Sequence, residues 1–126
     1  MGDDAILKAN EWRKRIMADC EAAGTYRPAF DTAISALAGV LARRDEIEKR
    51  YVDEGSEAVL IHTNKTGDEI ARPNPLLTIW NSLTTTALSY WKELGLTPSG
   101  LRKIDESAMK PKKKSVLTEA LKELEK

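Results

Sequence analysis

One histidine and one cysteine limit what this chain can do by nucleophilic or metal chemistry. A structural zinc site needs about four nitrogen or sulfur ligands, and His62 with Cys20 supplies only part of that set. Cys20 shares an apolar stripe with Trp12 and Ile16, where a small buried hydrophobe is the ordinary expectation and an activated thiolate is not. His62 lies in a short β-prone run and reads as a surface or hairpin histidine. Carboxylates do gather at Asp45, Glu46, Glu48, Asp53 and Glu54, and a metal-dependent nuclease uses such groups. They alternate with Arg43, Arg44, Lys49 and Arg50, which is the pattern of an exposed helix face laced by ion pairs. Gly39, Gly55, Gly67, Gly95 and Gly100 are scattered, and no lysine follows a glycine-rich loop in the way phosphate cradling requires. No catalytic set, no metal site and no cofactor is expected, so binding is the chemistry left to consider.

Two residue types could bind. Trp80 and Trp91 could stack on bases, yet their spacing puts both on the apolar side of one helix, where core or subunit packing is the expected use. The exposed candidates are basic: Arg13, Lys14 and Arg15; Arg102 and Lys103; and Lys110, Lys112, Lys113 and Lys114. Twenty basic and twenty acidic residues cancel over the chain, so attraction to nucleic acid has to come from a local patch. From Thr97 onward there are eight positive and five negative charges, the one basic part of the sequence. The start of the chain lacks a basic stretch followed by an apolar run, and no window approaches the roughly 18 apolar residues of a membrane span. A cytoplasmic protein with no membrane contact is expected, and the Asn64-Lys65-Thr66 sequon then has no consequence.

Helices must position these residues. Ile6, Ala9, Trp12, Ile16, Cys20 and Ala23 recur at three- and four-residue steps up to Gly24, which predicts an amphipathic first helix. Pro28 fits a first helical turn, and Phe30, Ile34, Leu37 and Leu41 continue the period in a second helix. Its far half, to Glu54 and Gly55, carries charge in place of apolar residues and should project from the core. Ala58 to His62 and Glu69 to Arg72 flank a turn-like Asn64-Lys65-Thr66-Gly67 group, which predicts a short hairpin or an ordered loop. Pro73 and Pro75 bracket Asn74 and force a boundary. Leu77, Trp80, Thr84, Ala87, Trp91 and Leu94 then fall on one side of a third helix, widened by Leu76 and Leu83. Gly95 stops it, Leu96 folds back as the hydrophobic contact of the cap, and Thr97-Pro98 opens a short fourth helix to about Asp105. A solvated lysine-rich linker follows. Ser115 then caps a short stripe of Leu117, Leu121 and Leu124, too brief to stand alone and therefore suited to docking on a partner.

The expected fold is mainly α: a long antiparallel helix pair, a short β-hairpin or loop, a third long helix, a short fourth and a flexible C-terminal tail. Residues 1–106 form the helical core and oligomerisation domain, and residues 107–126 the basic linker and last helix. The segment from Asn74 to Ile104 runs Asn74-Pro75-Leu76-Leu77, a helix, then Glu93-Leu94-Gly95-Leu96-Thr97-Pro98-Ser99. With Gly67 before it and Tyr51 to Gly55 closing the upstream helix pair, it resembles the small subunit of phage DNA-packaging terminases, over about residues 10 to 105. The resemblance implies a non-enzymatic subunit that forms a homo-oligomeric ring, binds double-stranded viral DNA and regulates the ATPase and nuclease of a separate large terminase subunit in the bacterial host. Its DNA contacts have no motif to carry over, so the basic residues above are nominated on charge, and Leu117, Leu121 and Leu124 as the docking stripe for the large subunit. Two other readings remain open at this level: a helix-turn-helix transcription regulator reading DNA through Ser99, Arg102 and Lys103, and a phage structural or adaptor protein with no nucleic-acid role.

Overall fold

A computed structural model describes residues 2–105 and 121–124 of the chain. Helix α1 spans Gly2–Ala23, a 3-10 turn at Pro28–Phe30 runs straight into α2 at Asp31–Asp53, strands β1 (Val59–Thr63) and β2 (Glu69–Pro73) follow, and α3 covers Pro75–Glu93. A fourth helix, α4, begins at residue 98 and is described as far as residue 105. Residues 121–124 form one helical turn on which Leu121 and Leu124 are exposed. Lys110, Lys112, Lys113, Lys114 and Leu117 lie outside the described residues.

Each long helix ends by the same backbone device. At the end of α1, Gly24 N–H donates to the Glu21 carbonyl and Thr25 N–H to that of Cys20; at the end of α3, Gly95 N–H donates to Lys92 and Leu96 N–H to Trp91. This paired pattern needs a left-handed residue after the last turn. Gly95 supplies it at φ +73, and Leu96 packs back on the core as the sequence predicts. Gly95 also has no room for a side chain, since a Cβ there would lie 2.7 Å from Ile104 and 2.9 Å from Thr25. Thr97 caps α4 by accepting from Gly100 N–H at 3.1 Å, and a side chain at Gly100 would run into the Lys92 carbonyl. The start of α4 therefore rests directly on the end of α3.

Helix α2 is the central element, packing against α1 on one side and α3 on the other. The chain runs antiparallel across both contacts: Asp45 near the middle of α2 meets Trp12 near the middle of α1, while Asp4 and Lys8 lie beside Lys49 and Asp53. The core is Ile16 and Cys20 of α1, Ile34, Leu37, Ala38 and Leu41 of α2, and Ala87 and Leu94 at the end of α3. It occupies one end of the bundle. At the other end Ile6, Leu7 and Val52 are all more than half exposed, so the far half of α2 does project from the core as expected.

The hairpin forms, with Val59 opposite Pro73, Ile61 opposite Ala71 and Thr63 opposite Glu69. Asn64 closes its turn by accepting from the N–H groups of Thr66 and Asp68 at 3.1 and 2.9 Å. Pro73 sits at the strand end, where its missing N–H leaves no gap in the ladder. Asn74 then joins hairpin to helix: its N–H donates to Ala58, its Nδ2 to Glu57 at 2.9 Å, and its Oδ1 accepts from Leu76 N–H at 3.0 Å as the α3 cap. It is 4 % exposed, a buried amide with every contact made to backbone.

Candidate nucleic-acid interface

Trp12, Trp80 and Trp91 are the chain's three tryptophans, and folding brings them to one region around the middle of α2. The reason is register. Trp80 and Trp91 are three helical turns apart on the face of α3 that meets α2, and Trp12 lies on the face of α1 that meets the opposite flank. The α2 residues between them are Arg44 and Asp45. The Arg44 guanidinium lies over both α3 rings, 5.3 Å from the Trp80 centroid and 5.9 Å from that of Trp91. Asp45 accepts a hydrogen bond of 2.6 Å from the Trp12 indole Nε1–H. Arg15, three residues further along α1, lies over the Trp12 ring, 5.2 Å from its centroid.

This corrects the expectation that Arg44 and Asp45 belong to an ion-pair face. Both are half-buried, and each pairs with an indole. The one salt bridge among the described residues is Arg50 to Glu54 at 3.8 Å, with both side chains well exposed. Charge alternation finds exposed helix faces, but it cannot show that a third helix will lay two tryptophans across one of them.

Arg15, Arg44, Asp19, Trp12, Trp91 and Leu96 line a shallow open cleft with Ile16 at its base. Of the nominated basic residues that are among the described ones, only Arg15 reaches it. Arg13 and Lys14 are exposed on α1, but successive helical residues point about 100° apart, so the triplet does not make one face. Arg102 and Lys103 are exposed on α4, and Lys103 shares a second groove with Lys92 and Glu93 of α3. Arg44 and Lys92 are therefore basic residues at candidate surfaces that charge runs did not single out. The available signal was the spacing of Trp80 and Trp91, read with the question of what faces them.

Cys20 is fully buried in the core, and burial pushes its thiol pKa above the ordinary 9.0, with a smaller opposing pull from Thr25. A thiol so placed stays protonated at neutral pH and is a poor nucleophile. His62 is exposed on β1 opposite Ile70. Among the described residues no group of three or more His, Cys, Asp or Glu side chains is placed to hold a metal ion, and no helix is long and apolar enough to cross a membrane.

Residues 9–111 match the family model described as phage terminase, small subunit. No curated protein and no solved structure matches the chain.

Proposed function

Because the chain belongs to the phage terminase small-subunit family, and so to the machinery of phage genome packaging, we propose that it acts there without catalysing a reaction. It binds double-stranded viral DNA as a homo-oligomeric ring and regulates the large packaging ATPase and nuclease in the cytoplasm of the bacterial host. Arg13, Lys14, Arg15, Arg102 and Lys103 supply DNA contacts in this reading, with Lys110, Lys112, Lys113 and Lys114 beyond them. Leu117, Leu121 and Leu124 dock the large subunit.

The observation that carries assembly is the hairpin. Val59 and Ile61, on one face, are 50 % and 70 % exposed, and Leu60 on the other face stays open beside Ile79. A two-stranded ribbon is marginal in water when nothing covers it. Apolar side chains on both of its faces fit a chain that buries them against further copies of itself, in an interface resembling a divided core. Repetition around a ring also reconciles a neutral chain with DNA, since contacts that are weak singly add up when each copy presents the same patch.

Light scattering tests this directly. The expected mass is a fixed multiple of the 14.0 kDa chain, with smaller species for Ile61→Lys. A 14.0 kDa particle for the unaltered protein, or no effect of that protein on large-subunit ATP turnover, would overturn the reading.

A further inference from the structure

Arg44 is a half-buried cation whose guanidinium lies within 6 Å of two indole rings, Trp80 and Trp91, and whose charge has no carboxylate partner among the described residues. Its sequence neighbour Asp45 is turned away to the Trp12 Nε1–H. Arg15, across the same cleft, lies over the Trp12 ring; it is exposed, and it too has no carboxylate partner among the described residues. For half-buried Arg44, partial removal of the charge from water without a counter-charge is unfavourable, and the ring quadrupoles offset only part of that. What stacking leaves free on a guanidinium is its edge, a planar fork of N–H donors whose geometry matches two oxygens of a phosphate.

Resting on the DNA-binding reading above, we propose that the Arg15 and Arg44 cleft is a seat for the duplex backbone, in which both guanidiniums donate to phosphate oxygens while Trp12 and Trp91 wall the sugar side. The cleft is open and shallow, which suits a strand passing across it better than a small molecule enclosed within it. Two arginines from two different helices fix the direction of approach, and Arg44, half-buried against two indoles, is restricted before the ligand arrives. Asp19 on the rim opposes an anion. Its exposed position leaves it screened by solvent and salt. An acidic side chain of a neighbouring copy is the other anion that could fill the cleft, and the experiment separates the two.

The full-length protein is titrated with a fluorescent DNA duplex at several salt concentrations, while tryptophan emission is followed in parallel. All three tryptophans border this cluster, so saturating duplex is expected to quench or shift their emission without any mutation. Arg15→Gln with Arg44→Gln is expected to weaken binding roughly tenfold or more and to lower the slope of log K against log salt by about two. Arg44→Lys keeps the charge but loses the fork, so it should recover only part of the affinity, and Lys65→Gln at the hairpin turn should bind as the unaltered chain does. Unchanged emission at saturation, or a double variant of native mass that keeps the full affinity and slope, overturns the cleft as a DNA seat while leaving DNA binding intact. A double variant that falls to a smaller mass with its salt slope unchanged assigns the cleft to a neighbour's carboxylate and overturns it too. If the unaltered protein binds no duplex, the underlying DNA reading fails along with the seat.

Discussion

Asp45 and Arg44 are adjacent in sequence and opposite in charge, yet they do not pair with each other. A helix sends consecutive side chains about 100° apart, so Asp45 turns to α1 and Arg44 to α3. The same directional logic places Cys20 entirely inside, where its ionised form is disfavoured by burial, while the unfolded chain lets the thiol ionise freely. A folded-state pKa above the unfolded one means the native state gives up its proton later. The associated stability is fully present below about pH 8 and is lost as pH rises past the ordinary thiol value. Tyr26 acts in the same direction above the ordinary 10.0, because its hydroxyl donates to the Asp31 carboxylate at 2.9 Å and that bond is lost on ionisation. Thermal melts are therefore expected to show Tm falling between about pH 8 and pH 10.5, less steeply in Cys20→Ala than in the unaltered protein. Equal slopes for the two would remove Cys20 as a source of the alkaline loss.

Among the elements, α3 is the one whose limits were most legible. Pro73 and Pro75 restrict the backbone on both sides of Asn74, and Gly95 supplies the left-handed residue that ends the helix, so both boundaries follow from local conformational chemistry. The sequence leaves strand pairing and an ordered loop both open for residues 58–72, because five-residue runs with solvent on both faces lack a one-sided apolar alternation. What sequence could not disclose is that Asn74 ties these two elements together. Replacing Asn74 with Ala removes the acceptor for Leu76 N–H and the donor to the Glu57 carbonyl, and leaves both backbone groups short of a partner in a nearly dry site. The expected loss is about 2 kcal/mol by denaturant titration. Asn74→Asp keeps the cap acceptor alone and should fall between the two; a loss as large as that of Ala would make the Glu57 bond the dominant contact.

At the scale of the whole molecule, the core is concentrated where the end of α1, the start of α2 and the end of α3 meet, and the opposite end keeps Ile6, Leu7, Val52 and the hairpin in water. Such a division implies that stability depends on what covers the open end. If copies of the chain do so, mass action makes Tm rise with protein concentration, and a melt independent of concentration over a hundredfold range, about two decades, would speak against assembly as a source of stability. The sequence by itself determined the helical class and the order of the elements, since these rest on periodicity and local backbone preference, while the family was legible as a resemblance carried by the Asn74-Pro75 start and the Glu93 to Ser99 junction. It did not determine that Arg44 leaves the charged face for Trp80 and Trp91, that Asp45 serves Trp12, or that Arg15 joins Arg44 while Arg13 and Lys14 stay apart. Those relations join residues tens of positions apart, and only the packing of α1 and α3 on the two flanks of α2 brings them within contact distance.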